Sequence, residues 1–261
     1  MTSIEPARSP LEASALATAA GRAWSVSLLG SAASTNAVAA ESPVAGSIVV
    51  ADHQTAGRGR LDREWVTPAG SGLTFSAVVQ PGVADRHWPL LPLLAGVAVA
   101  SGVRRAAGID VALKWPNDVL LSERKLCGIL VERITGPVGP LAVIGIGINV
   151  DLTEAELPVP TATSLAIEGV AVTRTELFGT VLASLTVLLD AFVSSPESVL
   201  VAYRPLCTTV GRTVDVHLPD GSVLTGDAVR IDDQGRLVVH GPTGDRSVGA
   251  GDVVHVRPTS R

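Results

Sequence analysis

The chain has little aromatic material. Phe, Trp and Tyr make up 3% of its 261 residues, while 46% are hydrophobic. Its core must therefore be built from Ala, Val, Leu and Ile, and the length suffices for one large domain and a small one. It has only two cysteines, Cys127 and Cys207, too far apart for a metal-site spacing or a disulfide framework. That fits a reducing, cytoplasmic setting. It lacks a basic excess: the net charge is −5, which argues against duplex nucleic acid as the main partner. The first residues, MTSIEPARSPLE, contain no apolar run and do not read as a secretory signal. The most apolar segment, 89–103, is short and broken by Pro and Gly, so no membrane span is expected. Gly and Pro are plentiful but not periodic, and no internal repeat is visible. Lysine is nearly missing. Of 20 basic residues only Lys114 and Lys125 are lysines. Arginine cannot replace a compact point charge, so these two are candidates for chemistry, with compositional chance as the alternative.

Residues 1–20 read as a mobile tail with a short helix at 11–20. Strands are expected from Trp24, at 46–52, at 72–81, and at VALKW, KLCGILVERI and LAVIGIGINV. Helices are expected at 88–108, stopped by Gly108, and at 173–192, with a short one capped by Ser34 or Thr35. After Arg204-Pro205 the texture changes to short alternating strands with turns at Asp220-Gly221, Gln234-Gly235 and Thr243-Gly244. This reads as a small antiparallel barrel. The expected units are the tail 1–20, a main domain 21–205 and a C-terminal domain 206–261.

Four stretches carry candidate chemistry. The loop GRGRLDR (57–63) follows an apolar strand; its glycines allow close backbone approach and its guanidinium forks suit phosphate oxygens. No Gly-Lys-Ser/Thr follows it and a third glycine is missing, so it is neither a P-loop nor a dinucleotide fingerprint. Alone, it also reads as a solvated turn. In KWPNDVLLSERKLCGILVE (114–132), Pro116 forces a turn at Asn117-Asp118, placing Lys114 at a strand end and Asp118 beside the next strand. Asp118 is a candidate Mg²⁺ ligand there; a plain hairpin turn is the alternative. GIGIN (145–149) gives a strand with gaps on one face, where a flat ligand can lie against backbone or another strand can pack. Ser34-Thr35-Asn36 can cap a helix or bind a polar head group.

Together STN, QTAGRGR with Arg63 and Trp65 following, KWPNDVL, RKLCGIL and GIGIN resemble the biotin protein ligases, over roughly residues 24–257. The resemblance implies an α/β (α+β) fold: a mixed central sheet with helices in a biotin/lipoate-ligase-like catalytic domain, plus a C-terminal SH3-like β-barrel. It implies that biotin and MgATP give biotinyl-5′-AMP and pyrophosphate. Biotin then passes to one lysine of a carrier domain, of an acetyl-CoA or other acyl-CoA carboxylase or of pyruvate carboxylase. It implies biotin contacts from Ser34, Thr35, Asn36, Gln54, Gly57, Arg58, Gly59, Arg60, Lys125, Gly128, Gly145 and Gly147. Nucleotide contacts would come from Arg58, Arg60, Trp65, Asn117, Lys125 and Asn149. Lys125, Arg60 and Asp118 would be catalytic, Asp118 placing Mg²⁺ or the acceptor lysine. A short form without an N-terminal DNA-binding domain, with no nucleic-acid or membrane partner, is expected as a monomer or weak homodimer. A lipoate-type ligase of the same fold and a non-catalytic biotin-binding module are the alternatives. Two departures stand out: Leu61-Asp62 replace a polar or basic residue and a glycine common in that loop, and no Trp follows GIGIN to pack on adenine.

Overall fold

The computed structural model describes residues 8–60 and 63–255. A seven-stranded sheet organises the chain. Its strands are β1 (Ser25–Leu29), β2 (Ser47–Ala51), β5 (Gly72–Val79), β6 (Ala112–Lys114), β7 (Asp118–Leu121), β8 (Arg124–Gly136) and β9 (Gly139–Asn149). Their spatial order is β1-β2-β5-β9-β8-β7-β6. The β1–β2 pair is parallel and the others antiparallel, so the sheet is mixed. Two short strands, β3 (Gly57–Arg58) and β4 (Glu64–Trp65), form a separate ribbon.

Side-chain parity divides the sheet into two faces. On β5, Leu73, Phe75, Ala77 and Val79 join the main core; on β9, Ala142, Ile144, Ile146 and Ile148 do the same. This face packs on α3 (Leu91–Ala107) and α4 (Arg174–Ser194), with α1 (Ala13–Ala20) and α5 (Ser198–Tyr203) alongside. The opposite parity on the same strands, with Val78, Leu141 and Val143, packs on α2 (Thr35–Glu41) in a smaller cluster. Beyond that cluster the same face carries Gly145 and Gly147, and it opens into a cleft.

α3 ends at Gly108, whose φ of 69° is left-handed and whose N–H donates to Arg104 O at 2.9 Å. α4 starts at Thr173, whose hydroxyl accepts from Glu176 N. By length and composition both the run Asp85–Ala107, which contains the segment 89–103, and α4 are long and apolar enough to cross a bilayer, but the first is mostly buried within the protein and the two helices pack on each other. They meet closely at Gly102, where a methyl would stand 2.7 Å from Val181 N. The expected tail is also partly ordered. α1 buries Leu16 completely and lays Ala19 against Gly179 of α4; residues 1–7 lie outside the described part.

The C-terminal strands β10 (Thr213–His217), β11 (Val223–Ile231), β12 (Leu237–Gly241), β13 (Gly244–Val248) and β14 (Asp252–His255) make a five-stranded antiparallel sheet, order β13-β12-β11-β10-β14. Its apolar residues Val214, Val216, Leu237 and Val253 join the main core. Trp115 holds the junction: its indole N–H donates to Gly235 O at 2.9 Å and its backbone N–H to Thr209 Oγ1 at 3.0 Å.

Candidate functional site

The register lays a row across the sheet: Thr74 opposite Gly147, Gly147 opposite Gly128, Gly128 opposite Asp118, and Asp118 opposite Lys114. Two glycines in one row leave a floor of bare backbone. Trp65 lies on it; a methyl at Gly128 would stand 2.9 Å from the Trp65 ring, and one at Gly147 2.6 Å. The Trp65 indole N–H is buried without a partner among the described residues. At the end of this row the carboxylate of Asp118 meets both lysines of the chain. Lys125 Nζ is 2.7 Å from its Oδ1 and Lys114 Nζ 4.0 Å from its Oδ2. Lys125 also sits 5.7 Å from the Trp65 ring centroid.

The next row places Ser76 opposite Gly145 and Gly145 opposite Leu130. Above it stand the first residues of α2. Ser34 occupies the N-cap position but makes no capping bond. Thr35 donates to Gln54 Oε1 from its backbone N–H at 2.7 Å, with its hydroxyl 3.1 Å from the same oxygen. Asn36 is buried: Ser76 Oγ lies 2.6 Å from its Oδ1, and its Nδ2 donates to Glu132 Oε2 at 2.7 Å and to Leu130 O at 3.3 Å. This end of the cleft is polar, with Gln54, Thr35, Ser76 and Asn36 joined by hydrogen bonds.

The β3–β4 ribbon roofs the cleft. Arg58 pairs with Glu132 at 3.1 Å. Arg60 donates to Asn117 Oδ1 at 3.2 Å, while Asn117 Nδ2 donates to Ile129 O at 2.7 Å. Burial draws the Arg60 pKa down from its ordinary value, and the charges of Asp118 and Asp252 oppose this. Arg63 forms an ion pair with Asp252 of β14, and Gly251 and Asp252 line the cleft, so the C-terminal sheet closes one side. Leu61 and Asp62 lie outside the described residues.

Of the expected site residues, Ser34, Thr35, Asn36, Gln54, Arg58, Gly59, Arg60, Trp65, Asn117, Asp118, Lys125, Gly128, Gly145 and Gly147 line this one cleft. Gly57 and Asn149 do not. Gly57 is paired with Trp65 behind the roof, where a methyl would stand 2.9 Å from Gln54 Nε2. Asn149 is buried and donates to Thr163 O at 2.9 Å, bracing the segment whose backbone pairs with Lys125. As a Mg²⁺ ligand Asp118 fits poorly, because both its oxygens face ammonium groups. Among the described residues no group of three His, Cys, Asp or Glu side chains could hold a metal. Sequence reasoning took Arg63 only as part of the Arg-rich loop, without a contact of its own, and missed Ser76, Glu132, Glu64, Gly251 and Asp252, which nothing local signalled.

A polar pocket end, a bare backbone floor and a cationic far end beneath an Arg/Gly roof suit a flat molecule with a polar head and an anionic tail. Residues 31–149 match the model of the Biotin/lipoate A/B protein ligase family, and residues 209–256 that of the Biotin protein ligase C terminal domain. The class is thus protein ligases for biotin or lipoate. A Biotin--[acetyl-CoA-carboxylase] ligase of Mycobacterium tuberculosis is 36% identical over 273 residues, covering 98% of this chain and 100% of that one. Another, from Paracoccus denitrificans, is 32% identical over 216 residues, covering 78% and 88%. The solved biotin protein ligase from Aquifex aeolicus in complex with biotin and ATP superposes with a TM-score of 0.77 at 28% identity, covering 89% of this chain and 98% of that one. The chain belongs to the biotin protein ligase family.

Proposed function

We propose that the chain activates biotin with ATP and transfers it to a lysine of a biotin carboxyl carrier domain. The observation that carries this is the row Gly147–Gly128–Asp118, with Lys125 at its end and Arg60 above it. The bicyclic head of biotin would take the place of the Trp65 ring on the glycine floor, with its ureido group toward Thr35, Asn36 and Gln54. Its carboxylate would then reach Lys125. One carboxylate oxygen attacks the α-phosphorus of ATP and pyrophosphate leaves, giving the mixed anhydride. The amine of the acceptor lysine next attacks the acyl carbon, loses a proton and expels AMP. Lys125 and Arg60 would neutralise the charge that builds at phosphorus. Asp118 would orient Lys125, and it would receive the acceptor amine on the oxygen from which Lys114, at 4.0 Å, gives way. The roof would keep water from the anhydride. The nucleotide would arrive as its Mg²⁺ complex, the metal held by phosphate oxygens.

The remaining expectations fit this reading. The C-terminal sheet would be the SH3-like barrel of the family, with the catalytic unit at 21–205 and the C-terminal unit at 206–261. The acceptor would be a carboxylase carrier domain, and the compartment the cytoplasm.

The test is transfer of biotin to a purified carrier domain with ATP and Mg²⁺, read by streptavidin blot. Wild type is expected to label one lysine, and Lys125→Ala to lose about a hundredfold or more in rate. Arg60→Gly is expected to label unrelated proteins as the anhydride escapes. A folded wild type that binds biotin and labels nothing would overturn the reading. Competition with lipoate separates the two substrates of the broader class.

A further inference from the structure

Glu132 does not line the cleft, yet it touches two residues that do. Its Oε2 accepts from Asn36 Nδ2 at 2.7 Å and from Arg58 Nη2 at 3.1 Å. A carboxylate without a proton only accepts, so it fixes which end of the Asn36 amide faces β8. Leu130 O, at 3.3 Å, is the weaker second acceptor on the same nitrogen. Both Asn36 amide hydrogens are then used. What Asn36 has left for a ligand is the free lone pair of Oδ1, whose other side faces Ser76 Oγ.

We infer that Glu132 is a positioning residue that sets the polarity of the ligand's head group. By holding Asn36 with its oxygen free, it commits this end of the pocket to N–H donors, and the same carboxylate anchors Arg58 of the roof. The inference rests on the biotin reading above, in which the donors are the two ureido N–H groups. Without Glu132 the amide would be held by the longer bond to Leu130 O and by Ser76, whose hydroxyl can turn from donor to acceptor, and the flipped form would present N–H groups to N–H groups.

Calorimetry on the full chain tests this with biotin and with two analogues methylated at one or the other ureido nitrogen. Wild type is expected to bind biotin and to reject at least one methylated analogue by about tenfold or more. Glu132→Ala is expected to weaken biotin by about tenfold, to narrow that discrimination, and to melt within a few degrees of wild type. Glu132→Gln keeps an acceptor oxygen for Asn36 but loses the charge on Arg58, so it is expected to restore the discrimination. Wild-type affinity and discrimination in Glu132→Ala would overturn the inference. So would equal loss in both variants together with a large drop in melting temperature, which would mark a merely structural role. A wild type that does not bind biotin would instead sink the ligase reading, and this inference with it.

Discussion

Gly145→Ala puts the pocket geometry to a quantitative test. A methyl at Gly145 would overlap Asn36 Oδ1 and stand 2.9 Å from its Cγ. Gly145 cannot retreat, because β9 is paired there on both sides, with Ser76 and with Leu130. Asn36 must move. It then loses its bonds to Ser76 at 2.6 Å, to the Glu132 carboxylate at 2.7 Å and to Leu130 O at 3.3 Å. Two neutral bonds contribute about 0.5–1.5 kcal/mol each and one to a charged group about 1.5–3 kcal/mol. Water at the cleft replaces part of this, leaving a cost of about 2–4 kcal/mol. For a chain of this size that lowers the melting temperature by roughly 5–15 °C. Biotin affinity is expected to fall as well, because Asn36 is displaced toward the ligand's place. Gly96→Ala is the control: a methyl there meets nothing closer than 3.5 Å, and a helical Gly→Ala change gains up to about 1 kcal/mol. Thermal melting and calorimetry with biotin read both variants. A Gly145→Ala protein that melts within 1 °C of wild type and binds biotin equally well would refute the reasoning.

Trp115→Phe is expected to cost about 1–3 kcal/mol by leaving Gly235 O unpaired beside a side chain only 2% exposed; a melt unchanged within error would contradict it. His255 gives a pH dependence. Burial first, then Lys114 and Arg212, hold its imidazole at about 4, with Glu123 opposing. Because the folded value lies below the ordinary 6.5, the neutral ring's full contribution is present above that pH and is lost as pH falls toward 4. Melting temperature against pH is therefore expected to fall less steeply across this window in His255→Asn than in wild type. Cys127 is fully buried, and burial together with Asp118 raises its pKa against the opposing charge of Lys125. Iodoacetamide at pH 8 is expected to leave it unmodified until guanidinium unfolds the chain; alkylation of native protein at Cys127 would exclude this.

The legible parts of this site are those where one residue type both folds the chain and acts. GIGIN showed its gaps because strand parity alternates apolar residues with glycine. KWPND showed its turn because Pro116 and Asn117 fix local backbone. The same parity misplaced Asn149, which shares the face of Gly145 and Gly147 but lies past the cleft, under Thr163. Ser76 and Glu132 were invisible because their meaning is entirely tertiary: they meet Asn36 across 40 and 96 residues. Asp252 reaches the roof across 189 residues and from a second sheet, so no local pattern marks it. Composition, in contrast, marked the lysines before any motif did. A chain with 20 basic residues keeps two as lysine, and the fold brings both to one carboxylate, that of Asp118. In an enzyme read as making an amine-acylating anhydride, this has a chemical consequence. The lysine side chain is the acceptor group of the reaction, and this protein carries none outside the site for the anhydride to find.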